Sequence, residues 1–309
     1  MLWLGLATLI GAQIAYPLVT GDARAVLVVI TVLLGFALSV GHALATRGVR
    51  VGAALVAVTA AGGLAIEAVG VATGFPFGSY VYGDALGPKL LDVPLVVPLA
   101  WTWMAWPAWL VAGKLAHWLT RSPVPAADSP PVPATRLDAR TTAARPDART
   151  TATRPDAWTT LARIGIAGLA LAGWDLFLDP QMVSQGYWTW YPGSDPGLPG
   201  EFNIPVVNYV GWLGVALVMM ALFAAVAGPR AAGPAPARPG RLGGGRDAPM
   251  LALYLWTYYS SVLAHALFLG LPASAWWGGA VMGLVAIPLT GLLITPLWMA
   301  PFGPTPVRR

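Results

Sequence analysis

The chain has 309 residues, of which 57% are hydrophobic and only 10% are charged. A soluble domain would carry roughly 25% charged residues, so this composition excludes a soluble globular protein and indicates an integral membrane protein. The chain has no cysteine, which excludes disulfides, iron–sulfur clusters and thiol catalysis. Its net charge of +5 comes from arginines in the connections, where they bear on orientation in the membrane.

Eight apolar runs are long enough for transmembrane helices, each of which needs ~20 largely apolar residues. We therefore predict an all-α, polytopic bundle of about eight spans, at residues 2–19, 25–45, 51–73, 93–119, 158–178, 204–227, 250–269 and 275–298. The first run lacks a basic segment before it, so we expect a first span rather than a cleavable signal. Pro94, Pro98 and Pro107 predict that the fourth helix is kinked or starts late.

The basic residues alternate between connections. Arg47 and Arg50 lie in the second connection, and the fourth connection, the sixth connection and the C-terminal tail are also rich in arginine. Only Arg24 and Lys89 fall in the other connections. Cytoplasmic loops are enriched in Lys and Arg, so we predict an even number of spans with both termini in the cytoplasm. We expect a multi-pass protein of the plasma membrane.

Two connections predict flexible linkers that divide the chain. Residues 1–120 hold spans 1–4, and residues 158–309 hold spans 5–8, with a Gly- and Pro-rich linker at 228–249. Residues 121–157 contain a nine-residue repeat, RLDARTTAA, RPDARTTAT and RPDAWTTLA. This repeat has no apolar periodicity and cannot bury enough surface to offset its ordering entropy, which predicts a disordered cytoplasmic linker. Contact of its arginines with anionic lipid headgroups is the alternative.

The most unusual polar residues lie in and after the fifth span. Asp175 and Asp179 are four residues apart, so on a helix they share one face. We expect the helix to end at Pro180, and an aromatic loop and a sixth span to follow, with Trp188, Trp190, Asn203 and Asn208. Carboxyl groups in a bilayer are costly, so the pair indicates a functional site. For Asp179, a place at the interfacial end of the helix is the plainer alternative.

A third carboxyl group, Glu67, lies late in the third span. Buried carboxyls are candidate acids, although a protonated Glu67 hydrogen-bonded across a helix pair is the structural alternative. The loop and the helix that follow it carry Tyr80, Tyr82, Trp101 and Trp103. Under the predicted topology all three carboxyls fall in the outer half of the membrane, so we expect them in one pocket between spans three to six. The tryptophans could equally form an aromatic belt at the membrane surface.

The histidines do not predict a metal site. His42, His117 and His265 are isolated in the sequence. A membrane di-iron oxygenase needs clusters of histidine ligands, so we expect neither a metal nor a catalytic histidine.

Two segments carry a family resemblance. The first is EAVGVATGFPFGSYVYGDALGPKLLDVPLVVPLAW, and the second combines DLFLDPQMVSQGYWTWYPGS with FNIPVVNYVGW. Their TG-x-x-FG-x-Y-x-Y and D-x-x-x-DP blocks follow one another in that order. The chain resembles the membrane carotenoid-biosynthesis family, which includes CruF-type carotenoid 1′,2′-hydratases and bisanhydrobacterioruberin hydratases. The resemblance covers residues 67–212 without the repeat, and it implies a membrane hydratase that adds water to a terminal carotenoid double bond.

That reaction needs a proton at C2′ and water at C1′, through a tertiary cation or a similar species. It calls for a neutral carboxylic acid, a group that deprotonates water, and aromatic faces that stabilise positive charge. We expect Glu67 or Asp175 to donate the proton and Asp179 to orient the water, with no cofactor. Candidate substrate contacts are Tyr80, Tyr82, Trp101, Trp103, Trp188, Trp190, Asn203 and Asn208. The expected partners are a carotenoid, the lipid bilayer and other membrane enzymes of carotenoid synthesis, and not nucleic acid.

Two other functions remain open from the sequence. D-x-x-x-D also holds magnesium diphosphate in membrane prenyltransferases, but these need a second Asp-rich motif, which occurs nowhere else in this chain. A transporter or carotenoid-handling scaffold could use Glu67 and Asp175 to relay protons. Inverted repeats would mark such a transporter, and the two loops GFPFGSYVY and QGYWTWYPGS are only loosely alike.

Overall fold

The computed structural model describes residues 2–120, 157–191, 196–200, 204–232 and 245–298. These residues form an α-helical bundle, which confirms the predicted fold class. The repeat linker and most of the second linker lie outside the described residues, so the division of the chain into these segments stays a prediction.

The described residues contain eight helices, each of which overlaps one predicted apolar run. In order they are α1 (Leu2–Ala15), α2 (Asp22–Arg47), α3 (Val49–Thr73), α4 (Val96–Thr120), α5 (Ala157–Ser184), α6 (Val206–Ala227), α7 (Ala248–Leu267) and α8 (Pro272–Trp298). Short 3-10 turns follow α1 at Tyr16–Leu18 and α6 at Gly228–Ala232, and α3 includes a wider π turn at Ala57–Ala61.

Five of these helices, namely α2, α3, α5, α6 with its following turn, and α8, are long and apolar enough to cross a membrane. The chain is therefore a membrane protein with several spans. The total of eight spans and the cytoplasmic placement of both termini stay predictions.

Helix α4 lies at the centre of the bundle. It packs against α2, α3, α5, α7 and α8. Every side chain from Val96 to Ala112 except Leu99 is buried. The four tryptophans of this segment therefore contact protein rather than lipid, unlike an aromatic belt, whereas Trp118 near the end of the helix is 53% exposed. The helix starts at Val96, after Pro94, which agrees with the late start predicted from its prolines.

Proline 107 lies inside α4 without ending it. A proline in a helix removes the hydrogen bond to the carbonyl four residues earlier, which here belongs to Trp103. The hydroxyl of Ser39 on α2 donates to that carbonyl at 2.8 Å. A side chain from the neighbouring helix thus replaces the bond that the proline removes.

The same arrangement corrects the prediction that α5 ends at Pro180. The helix continues to Ser184. Pro180 leaves the carbonyl of Leu176 without its helical donor, and the hydroxyl of Ser274 on α8 donates to that carbonyl at 2.9 Å. Because α8 supplies the missing hydrogen bond, the helix passes through the proline and extends for another turn beyond Asp179.

The loops that follow α3 and α5 pair with each other. Strand β1 (Tyr80–Tyr82) and a strand at Trp188–Trp190 form an antiparallel pair, in which Tyr80 lies opposite Trp190 and Tyr82 opposite Trp188. A short hairpin of β2 (Lys89–Leu90) and β3 (Val93–Pro94) lies between them in sequence. The strand at Trp188–Trp190 is therefore numbered β4. The pairing of β1 with β4 places the C-terminal ends of α3 and α5 at the same end of the bundle.

Candidate active site

Four buried polar side chains meet beneath the β1–β4 pair. Glu67 comes from the last two turns of α3, Asp175 and Asp179 from α5, and Asn208 from the first turn of α6. Their exposed fractions are 2%, 1%, 3% and 0%. The structure thus brings the three predicted carboxyls into one site between the predicted spans three, five and six.

Two tyrosines of β1 donate to the same oxygen of Glu67. The hydroxyl of Tyr80 lies 2.5 Å from Oε2 and that of Tyr82 lies 2.7 Å from it. The indole nitrogen of Trp101 lies 3.5 Å from the other oxygen, Oε1. Burial raises the pKa of both tyrosines, and the adjacent Glu67 carboxyl raises them further, so both phenols are neutral donors.

Gly70 allows this close approach of β1 to α3. It lies one turn from Glu67, and a Cβ at this position would lie 2.8 Å from the Tyr80 hydroxyl and 2.7 Å from the Phe77 ring. A side chain here would push the loop away from the helix. Gly70 is therefore required for the Tyr80–Glu67 hydrogen bond.

Asn208 and Trp188 hold the aspartate pair. The amide nitrogen of Asn208 donates to Oδ2 of Asp179 and lies 3.4 Å from Oδ2 of Asp175. The indole of Trp188 donates to Oδ1 of Asp179 at 3.1 Å. The Asn208 nitrogen thus lies within 3.4 Å of an oxygen from each carboxyl, and the two carboxyls interact with each other. Two carboxylates this close repel each other, so the pair favours holding one proton.

These groups line a cavity in which half of the lining residues are aromatic. The indoles of Trp101 and Trp212 are stacked with their ring centres 3.9 Å apart, and Phe77 stacks on Trp212 from the other side at 4.1 Å. The full lining is Glu67, Tyr80, Tyr82, Val97, Trp101, Asp175, Leu178, Asp179, Trp188, Trp190, Asn208 and Trp212.

One predicted substrate contact, Trp103, does not line this cavity but a second one on the other side of α5. Another, Asn203, lies outside the described residues, so its part in the site stays a prediction. Conversely, sequence reasoning missed Val97, Leu178 and Trp212. Trp212 had a usable signal, because it follows Asn208 by one helical turn and therefore shares its face of α6.

The histidines serve other contacts. His265 bonds to Ser274 at 2.7 Å and to Gln181 at 3.1 Å, so it supports the hydroxyl that completes α5 at Pro180. His42 accepts from the indole of Trp106 at 2.9 Å. Among the described residues, the His, Asp and Glu side chains form no group of three that could hold a metal ion. The reaction without a cofactor stays a prediction.

Fold and site together define a multi-pass membrane protein with a buried, aromatic-walled carboxyl pocket. Residues 27–242 match the carotenoid biosynthesis protein family. The chain belongs to this family, which confirms the resemblance seen in the two motifs. A bisanhydrobacterioruberin hydratase from Haloarcula japonica is 30% identical over 175 residues, which are 56% of this chain and 45% of that protein. The chain thus matches less than half the length of this relative. No solved structure matches the chain.

Proposed function

We propose that this chain is a carotenoid hydratase of the plasma membrane that adds water across a terminal C1′=C2′ double bond of an acyclic or monocyclic carotenoid. The observation that carries the proposal is the pocket itself, where three buried carboxyls are surrounded by aromatic rings. The family and the hydratase name of the relative support the same chemistry. A carotenoid resides in the bilayer, so a pocket between membrane helices suits such a substrate.

In this mechanism the aspartate pair supplies and recovers the proton. Asp175 gives its proton to C2′ of the alkene, which leaves a tertiary cation at C1′. The oxygen of a water molecule then bonds to C1′, and Asp179 takes the released proton. The pair again shares one proton, and the net result is an alkene plus water converted to a tertiary alcohol. General acid–base catalysis of this kind contributes typically 10²–10⁴-fold in rate.

Glu67 stabilises the cation in this proposal. Two phenol hydrogen bonds to one oxygen offset part of the cost of burying a carboxylate at Glu67, and the proposal takes Glu67 in that form. A negative charge in a pocket of low dielectric lowers the energy of a nearby positive charge. The π-faces of Trp101 and Trp212 add a cation–π contribution. We therefore assign the proton donor to Asp175 rather than to Glu67.

Asn208 positions the water. Its amide nitrogen is committed to the aspartates, and its buried carbonyl oxygen, Oδ1, has no hydrogen-bond partner among the described residues. A buried acceptor without a partner is uncommon and suits a ligand that brings its own donor. A water molecule that donates to Asn208 Oδ1 and to Asp179 would have its oxygen lone pair directed away from both, toward the alkene.

The composition of the pocket favours this reaction over diphosphate chemistry. All donors to the carboxyls are neutral Tyr, Trp and Asn groups, and the described lining contains no Lys or Arg. A prenyl diphosphate needs cations to bind its phosphates. A hydrocarbon needs none.

The test is expression of the chain in cells that accumulate lycopene or γ-carotene, with the pigments analysed by mass spectrometry. We expect a product heavier by one water, labelled by H₂¹⁸O and absent for Asp175→Asn. Asp84→Asn, a change at an exposed loop carboxyl, is the matched control and should retain the product. Unchanged pigments with folded, membrane-inserted protein would contradict the proposal, and gain of a five-carbon unit would indicate a prenyltransferase.

A further inference from the structure

A second cavity lies beside the carboxyl pocket, on the other face of α5. The volume that the centres of water molecules can occupy in it is about 120 Å³. On α5, Trp174, Phe177 and Gln181 line this cavity, while Asp175 and Asp179 line the carboxyl pocket. Leu178 lines both. One side chain therefore stands at the boundary between the two cavities.

The walls of the second cavity carry many hydrogen-bonding groups for a site among membrane helices. Helix α7 presents Thr257, Ser260, Ser261 and His265 at spacings of about one turn. The polar lining residues from the other elements are Gln13, Tyr16, Thr31 and Gln181. Thr257 and His265 also bond within the protein. Polar groups that face hydrocarbon are costly, so the remaining hydroxyls of Ser260 and Ser261 indicate an occupant that forms hydrogen bonds.

Trp103 supports the same conclusion independently. It lines the cavity, is 4% exposed, and its indole N–H has no hydrogen-bond acceptor among the described residues. Buried indole N–H groups normally find a partner. A polyene has no acceptor to offer. Water does, and a buried water typically makes about three hydrogen bonds to groups of this kind.

We propose that the second cavity is a water chamber, and that it supplies the water consumed at the aspartate pair by passage past Leu178. The supply role rests on the proposed hydratase function. The chamber has room for a string of water molecules, since each needs roughly 10–15 Å³ of that volume. The carboxyl pocket needs such a source, because half of its lining residues are aromatic and its substrate is a hydrocarbon.

The absence of cysteine from the sequence provides a direct test of hydration that does not depend on activity. Ser261→Cys places a thiol in the chamber wall, and Leu263→Cys places one on the same helix at a position that is 54% exposed on the outside of the bundle. A charged methanethiosulfonate reagent reacts with a thiolate and requires water, so we expect ~10-fold faster labelling at position 261. Asp84→Cys in the exposed loop is the positive control.

Equal, slow labelling at positions 261 and 263 would show a dry chamber and overturn the proposal. Protection of the 261 thiol by added carotenoid would also overturn it, because the polyene would then be the occupant. Labelling that carotenoid leaves unchanged supports the water chamber.

A kinetic experiment tests the supply of water. The combined change Thr257→Val, Ser260→Ala and Ser261→Ala removes hydroxyls with little change in volume, and Leu263→Ala is the matched lipid-facing control. We expect kcat for hydration to fall ~10-fold with KM for the carotenoid unchanged, since the variant loses water delivery rather than substrate binding. A raised KM at constant kcat would assign the cavity to the substrate and overturn the proposal. Fast labelling of the Ser261→Cys variant, together with a wild type that hydrates no carotenoid, would overturn the supply role and the proposed function, but not the hydration of the chamber.

Discussion

The two ends of α5 hold charged side chains in opposite ways. Near its N-terminus, the guanidinium of Arg163 lies 3.9 Å from the ring centre of Trp109 and donates to the carbonyls of Trp109 and Ala231 at 3.2 and 3.3 Å. Near its C-terminus, roughly 24 Å away at 1.5 Å per residue, Asp175 and Asp179 line the carboxyl pocket. Both ends are buried. The second end lines a cavity, and there Oδ1 of Asn208 has no hydrogen-bond partner among the described residues, so it can accept a hydrogen bond from a ligand.

At the arginine end, charges are paired within the protein. Arg47 donates to both oxygens of Asp247 at 2.9 and 2.8 Å, and His42 contacts the carbonyl of Arg246 at 2.8 Å. These contacts tie the end of α2 to the start of α7.

At the carboxyl end, the donors to the acids among the described residues are neutral Tyr, Trp and Asn groups. The comparison indicates that the arginine end stabilises the bundle, whereas the carboxyl end is the site at which we propose the chemistry.

The largest expected effect comes from Asp175→Asn, which removes the shared proton. We expect the hydration rate to fall by ~10²–10⁴-fold, the range of general acid–base catalysis. The amide is similar in shape, so the thermal unfolding temperature in detergent should remain close to wild type. Retention of full activity would remove Asp175 from the mechanism and contradict a catalytic role for this end of α5.

Glu67→Gln should have the next largest effect, a loss of ~10²-fold, because it removes a preorganised negative charge near the cation. Tyr80→Phe with Tyr82→Phe should lose less. If the tyrosines act through Glu67, the triple variant should be no slower than Glu67→Gln alone, which a double-mutant analysis of initial rates measures. Additive losses would instead show that the phenols contact the substrate themselves.

Asp247→Asn tests the structural end. It leaves the Arg47 side chain, which is 5% exposed, without a full counter-charge. We expect a loss of about 1–3 kcal/mol in the free energy of unfolding, the cost of an uncompensated buried group. Hydration per folded molecule should not change. Arg50→Gln is the control, because Arg50 is exposed and lies three residues after Arg47. A fall in the activity of Asp247→Asn without a loss of stability would contradict a purely structural role for the arginine end.

A smaller effect is expected at the proline in α4. Ser39→Ala removes the donor to the Trp103 carbonyl and should cost about 1–2 kcal/mol of stability. In a Pro107→Ala background the helix supplies its own N–H to that carbonyl, so the same serine change should cost less. Equal costs in both backgrounds, measured by thermal unfolding, would show that Ser39 acts in some other way.

The smallest effect is expected at the exposed pair of Asp84 and Lys89, whose charged atoms lie 2.7 Å apart. The Lys89 ammonium lowers the pKa of Asp84. A lowered carboxyl pKa contributes stability above its ordinary value, ~3.9, and the contribution is lost only as the pH falls through the lowered pKa. Asp84→Asn should therefore leave the pH dependence of the unfolding temperature unchanged between about pH 5 and 8. A clear change in that interval would show that the pair is not merely a solvated contact.

The site residues were largely visible in the sequence, for a physical reason. A carboxyl among apolar residues is costly enough to need an explanation, so Glu67, Asp175 and Asp179 stood out without any tertiary information. Tyr80, Tyr82, Trp188 and Trp190 were expected as substrate contacts, and the structure shows all four in the pocket wall. Each pair alternates along a strand, so both of its side chains share one face.

Other features depend on partners that are distant in the chain. Pro180 predicted a helix end from local rules, but Ser274, 98 residues after Leu176, supplies the hydrogen bond that lets α5 continue. Trp103 looked equivalent to Trp101 in sequence, yet the two line different cavities, because they lie on different faces of α4.

The sequence by itself therefore determined the helical membrane class, since a long apolar helix satisfies its backbone within one segment in a bilayer, and it identified the carboxyls as the costly groups. The tertiary structure decided which donors hold them. The Tyr80–Glu67 bond, the Asn208 bridge and the boundary at Leu178 depend on how α3, α5 and α6 pack and on the β1–β4 pairing. Those contacts join residues far apart in the chain, and no local pattern encodes them.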